Sequence, residues 1–472
     1  MIAPVLPRSA FPFSTPYDPL EDPPTSIDPL GTVAEAERLA DLLLPGMTAR
    51  MWRARFLTFS AVAALVADRT VDLAGRDDIR DDARLAFERL FVSALVRRAG
   101  DDGMVQAMRR VPGTDRARTA LRAAEPLTRA NFLKGQAING PTGVMARLSR
   151  HIGVTDDEHR LGPRGLELVL AWSGDEVLPG ALEGRRDAGD GGRWITQMAQ
   201  ATRDALNGVW PGNQAGLWQE LAQRLRPDAI GKNERKILEK LLWSDALGLR
   251  GRTLDLIKAA ERTYRESKAE GRGVAERAVL QDGVKPKLED TPTDRVLHVV
   301  VDSVEAFEKC ACFLQAVFDT LRWALSSSGT MPAHRVLADG RTLKNLERVR
   351  KRIPNAVASL EGALSRMAAE PAIERDAIEP LRQLRDDASR GIESAETLLE
   401  AVLDRHDRVQ REKRKGRWIE RSEQLTLMPG FGLDEEKPPF YDRLYLHPFR
   451  IVNTYVMLGD LGLVRGAQDV EE

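Results

Sequence analysis

Between Ser303 and Leu325, apolar side chains recur at Val304, Phe307, Ala311, Leu314, Phe318 and Leu321. Steps of three and four residues place all six on one face of an α-helix. A helix this long gains its stability by burying that stripe, so the chain must supply other helices with matching faces. It does. Thr32–Leu43, Met51–Asp68, Arg80–Arg98, Gly216–Leu225, Asn233–Trp243 and Arg252–Glu270 carry similar spacing. From Arg341 to Arg414 four more helical stretches follow, separated by Pro354, the Glu370-Pro371 step and Gly391, with Pro380 inside the third. The alternation expected of a strand is confined to Leu297–Val301 and Tyr445–Val452. The expected fold is mainly α: multi-helix bundle domains joined by short connections, which favour antiparallel packing.

The apolar run from Phe56 to Val66 reads as a central core helix rather than a membrane span. It is shorter than the roughly 18–20 residues a span needs, and Arg53, Arg55, Asp68 and Arg69 bracket it. Thr32 with Glu35 has the spacing of a capping box for the first helix. Residues 1–31 carry eight prolines together with Phe11, Phe13 and Tyr17, and read as an extended arm, without the apolar run of a secretory leader. Residues 32–183 form a first helical domain, the glycine-rich stretch 184–192 a linker, residues 193–415 a larger bundle, and residues 416–472 an aromatic-rich cap. Within the first domain, residues 141–172 read as helix, turn, short hairpin and helix, an order reminiscent of a winged helix.

The 70 basic and 71 acidic residues leave a net charge of −1, which excludes a histone-like basic coat. The 56 arginines against 14 lysines follow the codon bias of a GC-rich genome; they matter to phosphate only where they cluster. Two cysteines, Cys310 and Cys312, provide neither a disulfide framework nor a zinc site, and the composition suits a reducing, cytoplasmic compartment. On a helix they point about 200° apart, toward core packing. No phosphate-cradling glycine loop, serine elbow or paired-histidine motif occurs, so no catalytic residue, metal ligand or cofactor is assigned. His406-Asp407 lacks the companion ligands of a metal phosphohydrolase. Glu435-x-Lys437 has nuclease-like spacing but sits in a turn before Pro438-Pro439.

Two local basic regions stand out. Arg97–Lys134 carries a local charge of +5, as does Arg405–Trp418. In the second, Arg405, Arg408, Arg411, Lys413, Arg414, Lys415 and Arg417 outnumber Asp407 and Glu412, and Trp418 adds a stacking group. These eight residues are the candidate nucleic-acid contacts, as phosphate ligands and an aromatic platform. The alternative is a solvated helix end, where cations meet the negative end of the helix dipole. The tail adds Phe440, Tyr441, Tyr445, Phe449 and Tyr455, as a packed cap or a docking surface for partner subunits.

Asp28-Pro29-Leu30-Gly31, then Leu44-Pro45-Gly46-Met47-Thr48 and Arg53-x-Arg55-Phe56-Leu57-Thr58, are similar to the opening of helical proteins of unassigned activity encoded in bacterial anti-phage defence islands. The basic run with Trp418 and the closing Leu446-His447-Pro448-Phe449-Arg450 resemble their ends. The resemblance implies a bacterial cytoplasmic component acting beside a separate ATPase, helicase or nuclease, and carries over no catalytic residue. The expected function is therefore a non-catalytic nucleic-acid-binding or scaffold subunit, with DNA the expected nucleic acid. A divergent metal-dependent nuclease and a protein–protein adaptor without nucleic-acid affinity are the alternatives.

Overall fold

The computed structural model describes residues 28–212, 214–441 and 444–465; Phe11, Phe13 and Tyr17 of the proline-rich arm lie outside the described residues. The protein is mainly α, with one small three-stranded sheet. No helix among the described residues is long and apolar enough to cross a membrane. The chain forms two compact units, and both are discontinuous. Unit 1 takes residues 28–39 and 299–447; unit 2 takes 40–298 and 448 onward. This differs from the division drawn from composition, because residues 184–192 lie inside unit 2 rather than between units. Their glycines serve close backbone approach. A Cβ at Gly191 would come 2.2 Å from the Leu178 carbonyl oxygen, and Gly192 faces the Arg185 carbonyl as closely. The stretch is a tight entry into the helix Asp190–Leu206.

Unit 2 is built around the helix Phe56–Ala74, whose residues Phe56 to Ala64 are all buried. That helix packs on Arg80–Arg97, Pro141–His151, Pro163–Asp175 and Asp190–Leu206. Phe59 lies 5.7 Å from Phe87 and 4.3 Å from Phe91, ring centre to ring centre. Trp172 is fully buried against Trp194 and donates its indole N–H to the Arg224 carbonyl. Between the helices Pro141–His151 and Pro163–Asp175, Thr155 and Leu161 form an isolated antiparallel bridge.

Unit 1 holds the helices Gly340–Arg350, Ile353–Ala369, Arg375–Arg390 and Ala395–Glu412, at the positions the proline and glycine punctuation indicates. Pro380 is accommodated inside Arg375–Arg390 without ending it. Ile353–Ala369 packs on Arg375–Arg390, and Ala395–Glu412 packs on both Arg375–Arg390 and Gly340–Arg350. The long helix extends from Pro292 to Ser326, absorbing Leu297–Val301, the stretch that reads as a strand by alternation. Tyr445–Val452 is also no strand: it ends in the helix Ile451–Asp460. The sheet comprises β1 (Thr330–Met331), β2 (Ile419–Arg421) and β3 (Leu425–Leu427), in the order β1-β3-β2 and antiparallel throughout. Cys310 and Cys312 are both buried, and burial pushes the Cys310 thiol up to about 12, so it packs as a small apolar group.

The first helix, Thr32–Leu43, is not capped as its sequence indicates. Asp28 accepts from the backbone N–H of Thr32 at 3.0 Å and of Val33 at 3.2 Å. The expected partners are engaged elsewhere: the Thr32 hydroxyl lies 2.9 Å from His447 Nε2, and Glu35 receives Arg405.

Candidate nucleic-acid interface

The patch at residues 405–418 divides into an interior and an exposed part. Arg405 is 2% exposed and makes three contacts within unit 1. It donates to Glu35 Oε1 at 2.7 Å, to Asp387 Oδ2 at 2.8 Å and to the Leu30 carbonyl at 2.7 Å. Arg408 shares Asp387, Lys413 donates to Asp28 Oδ2 at 2.9 Å, and Arg417 pairs with Asp407 at 2.8 Å. Trp418 is buried, with its ring stacked 4.5 Å from Phe431 and the Arg322 guanidinium over it. Arg405 and Trp418, read from sequence as phosphate and base contacts, are thus interior structural groups. Apart from Asp407, the acids that neutralise the cations lie outside the run, which hides them from a local charge count. Arg411, in the last turn of the helix Ala395–Glu412, and Arg414 and Lys415 beyond its end remain exposed; Arg414 adopts φ +53° and the Lys415 N–H closes onto the Gln410 carbonyl.

His406 lies beneath that turn. Its Nδ1 is 3.0 Å from the Pro29 carbonyl, and its Nε2 accepts the Trp418 backbone N–H at 3.0 Å. Both ring nitrogens are committed, which fixes the neutral Nδ1–H tautomer, and burial lowers its pKa. The HD dipeptide is therefore a strap for residues 28–32 rather than a metal-ligand pair. His447 behaves in the opposite sense. Burial works against its charge, but the Glu308 carboxylate 2.5 Å from Nδ1 outweighs it, and its pKa is raised. Asp28 to Gly31, Arg405, His406, Lys413 and His447 form one polar network in unit 1.

The matching network in unit 2 gathers the other motif residues. Arg55 donates to Glu234 and Glu176; Arg450 pairs with Asp41; Arg250 donates to the Pro45 carbonyl at 2.6 Å. Glu276, fully buried, accepts the backbone N–H groups of Phe449 and Ile451 at 3.1 Å and of Val452 at 3.3 Å, and so caps the helix Ile451–Asp460. Burial raises its pKa to about 7 despite those donors and Arg272. The aromatic tail is packed: Tyr441 donates to Asp319, Phe449 is fully buried, and Tyr455 stacks on Tyr264 at 3.8 Å.

A second basic surface lies in unit 2, in the stretch Arg97–Lys134. Among the described residues, a groove of about 740 Å³ is lined by Arg50, Arg109, Arg110, Arg116 and Arg118 with one acid, Asp115, which pairs with Arg118 at 2.6 Å. Its backbone is held from behind. Arg53, buried, donates to the Arg109 and Gln106 carbonyls at 2.9 Å and pairs with Asp460 at 2.9 Å. This clamp sets the turn after Met108 from which Arg109 and Arg110 project, Arg110 with φ +61°. Gly113, φ +85°, lies so close to Phe132 that any side chain would collide with the ring. The Arg110 guanidinium lies 4.7 Å from the centre of the Trp52 ring, and Arg272 lies 5.6 Å from the same ring. Local charge marks this stretch in the sequence; Arg50 and Trp52, outside it, carry no such signal. Among the described residues no three His, Cys, Asp or Glu side chains gather as a metal site. No family model, curated protein or solved structure matches the chain.

Proposed function

We propose that the protein is a non-catalytic nucleic-acid-binding or scaffold subunit of a bacterial anti-phage defence system, working with a separate ATPase, helicase or nuclease. The observation that supports the binding role is the groove in unit 2, where among the described residues five arginines gather beside Trp52 with one carboxylate, Asp115, paired to Arg118. In a chain of net charge −1, such a local excess creates the field to which phosphates respond. The exposed Arg411, Arg414 and Lys415 offer a second, smaller set of cations in unit 1.

The test is the salt dependence of binding. Replacing Arg109 and Arg116, both exposed, with alanine should flatten the slope of log affinity against log salt by about 1.5–2, the counterions released by two phosphate contacts. Thermal stability should stay unchanged. A protein that binds neither DNA nor RNA at low salt refutes the binding role. Cleavage of plasmid in Mg²⁺ or Mn²⁺, lost on changing one Asp or Glu, refutes the non-catalytic one.

A further inference from the structure

We infer that the unit 2 groove is a site for an unpaired nucleic-acid strand, with phosphates on its arginines and a base against its apolar floor. The inference rests on the binding role proposed above and names the ligand of that same groove. Three features carry it. The first is size and shape: at about 740 Å³ the groove falls in the range of small-ligand sites. A duplex is read by a protein element that enters its major groove, about 12 Å wide. A concave site of this size offers no such element and instead admits a short run of single strand.

The second feature is the alternation of its lining. Val105, Met108, Val111, Pro112, Leu133 and Val144 lie among the arginines. Val105 is 63% exposed, an aliphatic side chain left in water at a site otherwise rich in charge. Apolar surface between cations has no complement on a duplex, whose outer surface is phosphate and sugar. It does have one on an unpaired strand, whose bases turn away from the backbone and present flat apolar faces. The third is preorganisation. The clamp of Arg53 on the Arg109 and Gln106 carbonyls, its pairing with Asp460, and the Gly113–Phe132 contact hold the walls before any ligand arrives. The Arg50 guanidinium donates to Asn139 Oδ1 at 2.6 Å, tying the two rims. Little ordering cost then remains for binding.

The test compares a fluorescein-labelled oligothymidylate with a blunt duplex of equal length, by anisotropy at several salt concentrations, on the full chain. The single strand should bind at least about tenfold tighter at equal salt. Val105 serves as the probe residue, because its exposure lets it change without disturbing the core. Val105→Asp should weaken single-strand binding about tenfold or more, whereas Val105→Lys should hold or strengthen it, with circular dichroism unchanged for both. Duplex bound as tightly as single strand overturns the inference and leaves the wider binding role standing. So does single-strand binding that ignores both Val105 variants but is lost on changing Arg411, Arg414 and Lys415 to alanine. Binding of neither nucleic acid removes the proposed function itself.

Discussion

Replacing Arg405 with alanine is expected to destabilise unit 1 by about 3–5 kcal/mol, the usual cost of removing one partner from a buried ion pair. The guanidinium is 2% exposed and answers two carboxylates, Glu35 and Asp387, together with the Leu30 carbonyl. Without it, Glu35 remains in a dry site without its cation, and Asp387 keeps only Arg408. Burial already raises the Glu35 pKa against the pull of Arg405, so the variant should take up a proton there and lose the strap on residues 28–32. Urea denaturation at neutral pH measures the change. Since a domain is stable by only about 5–15 kcal/mol, the variant should unfold at a much lower urea concentration. The matched control is Arg411→Ala on the same helix, where the side chain is exposed and the loss should stay below about 1 kcal/mol. Equal effects from the two substitutions would mean that the Arg405 network contributes nothing.

The second large effect is one of pH. Unit 2 should lose about 3 kcal/mol of stability between pH 5 and pH 8, most of it through Glu276. Burial lifts this carboxyl from 4.5 to about 7. The folded chain therefore holds its proton through a window in which the unfolded chain has released it. The stabilising contribution is complete below pH 4.5 and is lost as the pH rises through 7. Asp460, raised to about 6 by burial despite Arg53, acts in the same direction at lower pH, as do the buried Glu88 and the half-buried Glu176. In unit 1, Glu35 and His447, both raised, add the same slope. His406, lowered by burial, opposes it, because its contribution is lost as the pH falls. Glu276→Gln cannot titrate, so its urea midpoint plotted against pH should be flatter than that of the parent. A parallel profile would assign the slope to other groups.

The division between what the sequence displays and what it conceals follows the range of the interactions. Helices were legible wherever proline or glycine punctuates an apolar stripe, as at Pro354, Pro371 and Gly391. The Thr155–Leu161 bridge was legible for the same reason, since a polar turn separates two well-marked helices. The candidate site was legible only as charge. A count of residues 405–418 finds seven cations, but Glu35, Asp28 and Asp387, which neutralise three of them, enter the site from distant segments. Trp418 likewise reads as a free aromatic until Phe431 and Phe318 enclose it. The Arg97–Lys134 stretch lost fewer of its charges to the interior because its helices are short and most of its arginines stay at the surface. The glycines of residues 184–192 mislead in a different way. Composition alone cannot distinguish a glycine that permits motion from one that permits contact.

The discontinuity of both units bears on how the chain is made. A ribosome delivers Arg53 about four hundred residues before Asp460, its partner in unit 2, and Glu276 about 175 residues before the backbone it caps. Through most of synthesis, then, Arg53 stands in a nascent chain without Asp460, and Glu276 joins it there without the backbone it caps. Unit 1 must be translated in full before the segment that finishes unit 2 emerges. Contacts this distant in sequence fold slowly, and half-made chains with vacant charged cavities are natural clients for chaperones and proteases. Nascent chains stopped just before residue 448 should be far more sensitive to protease in unit 2 than chains that run on past the helix Ile451–Asp460, so quality control of unit 2 is decided by a segment made long after the rest of it.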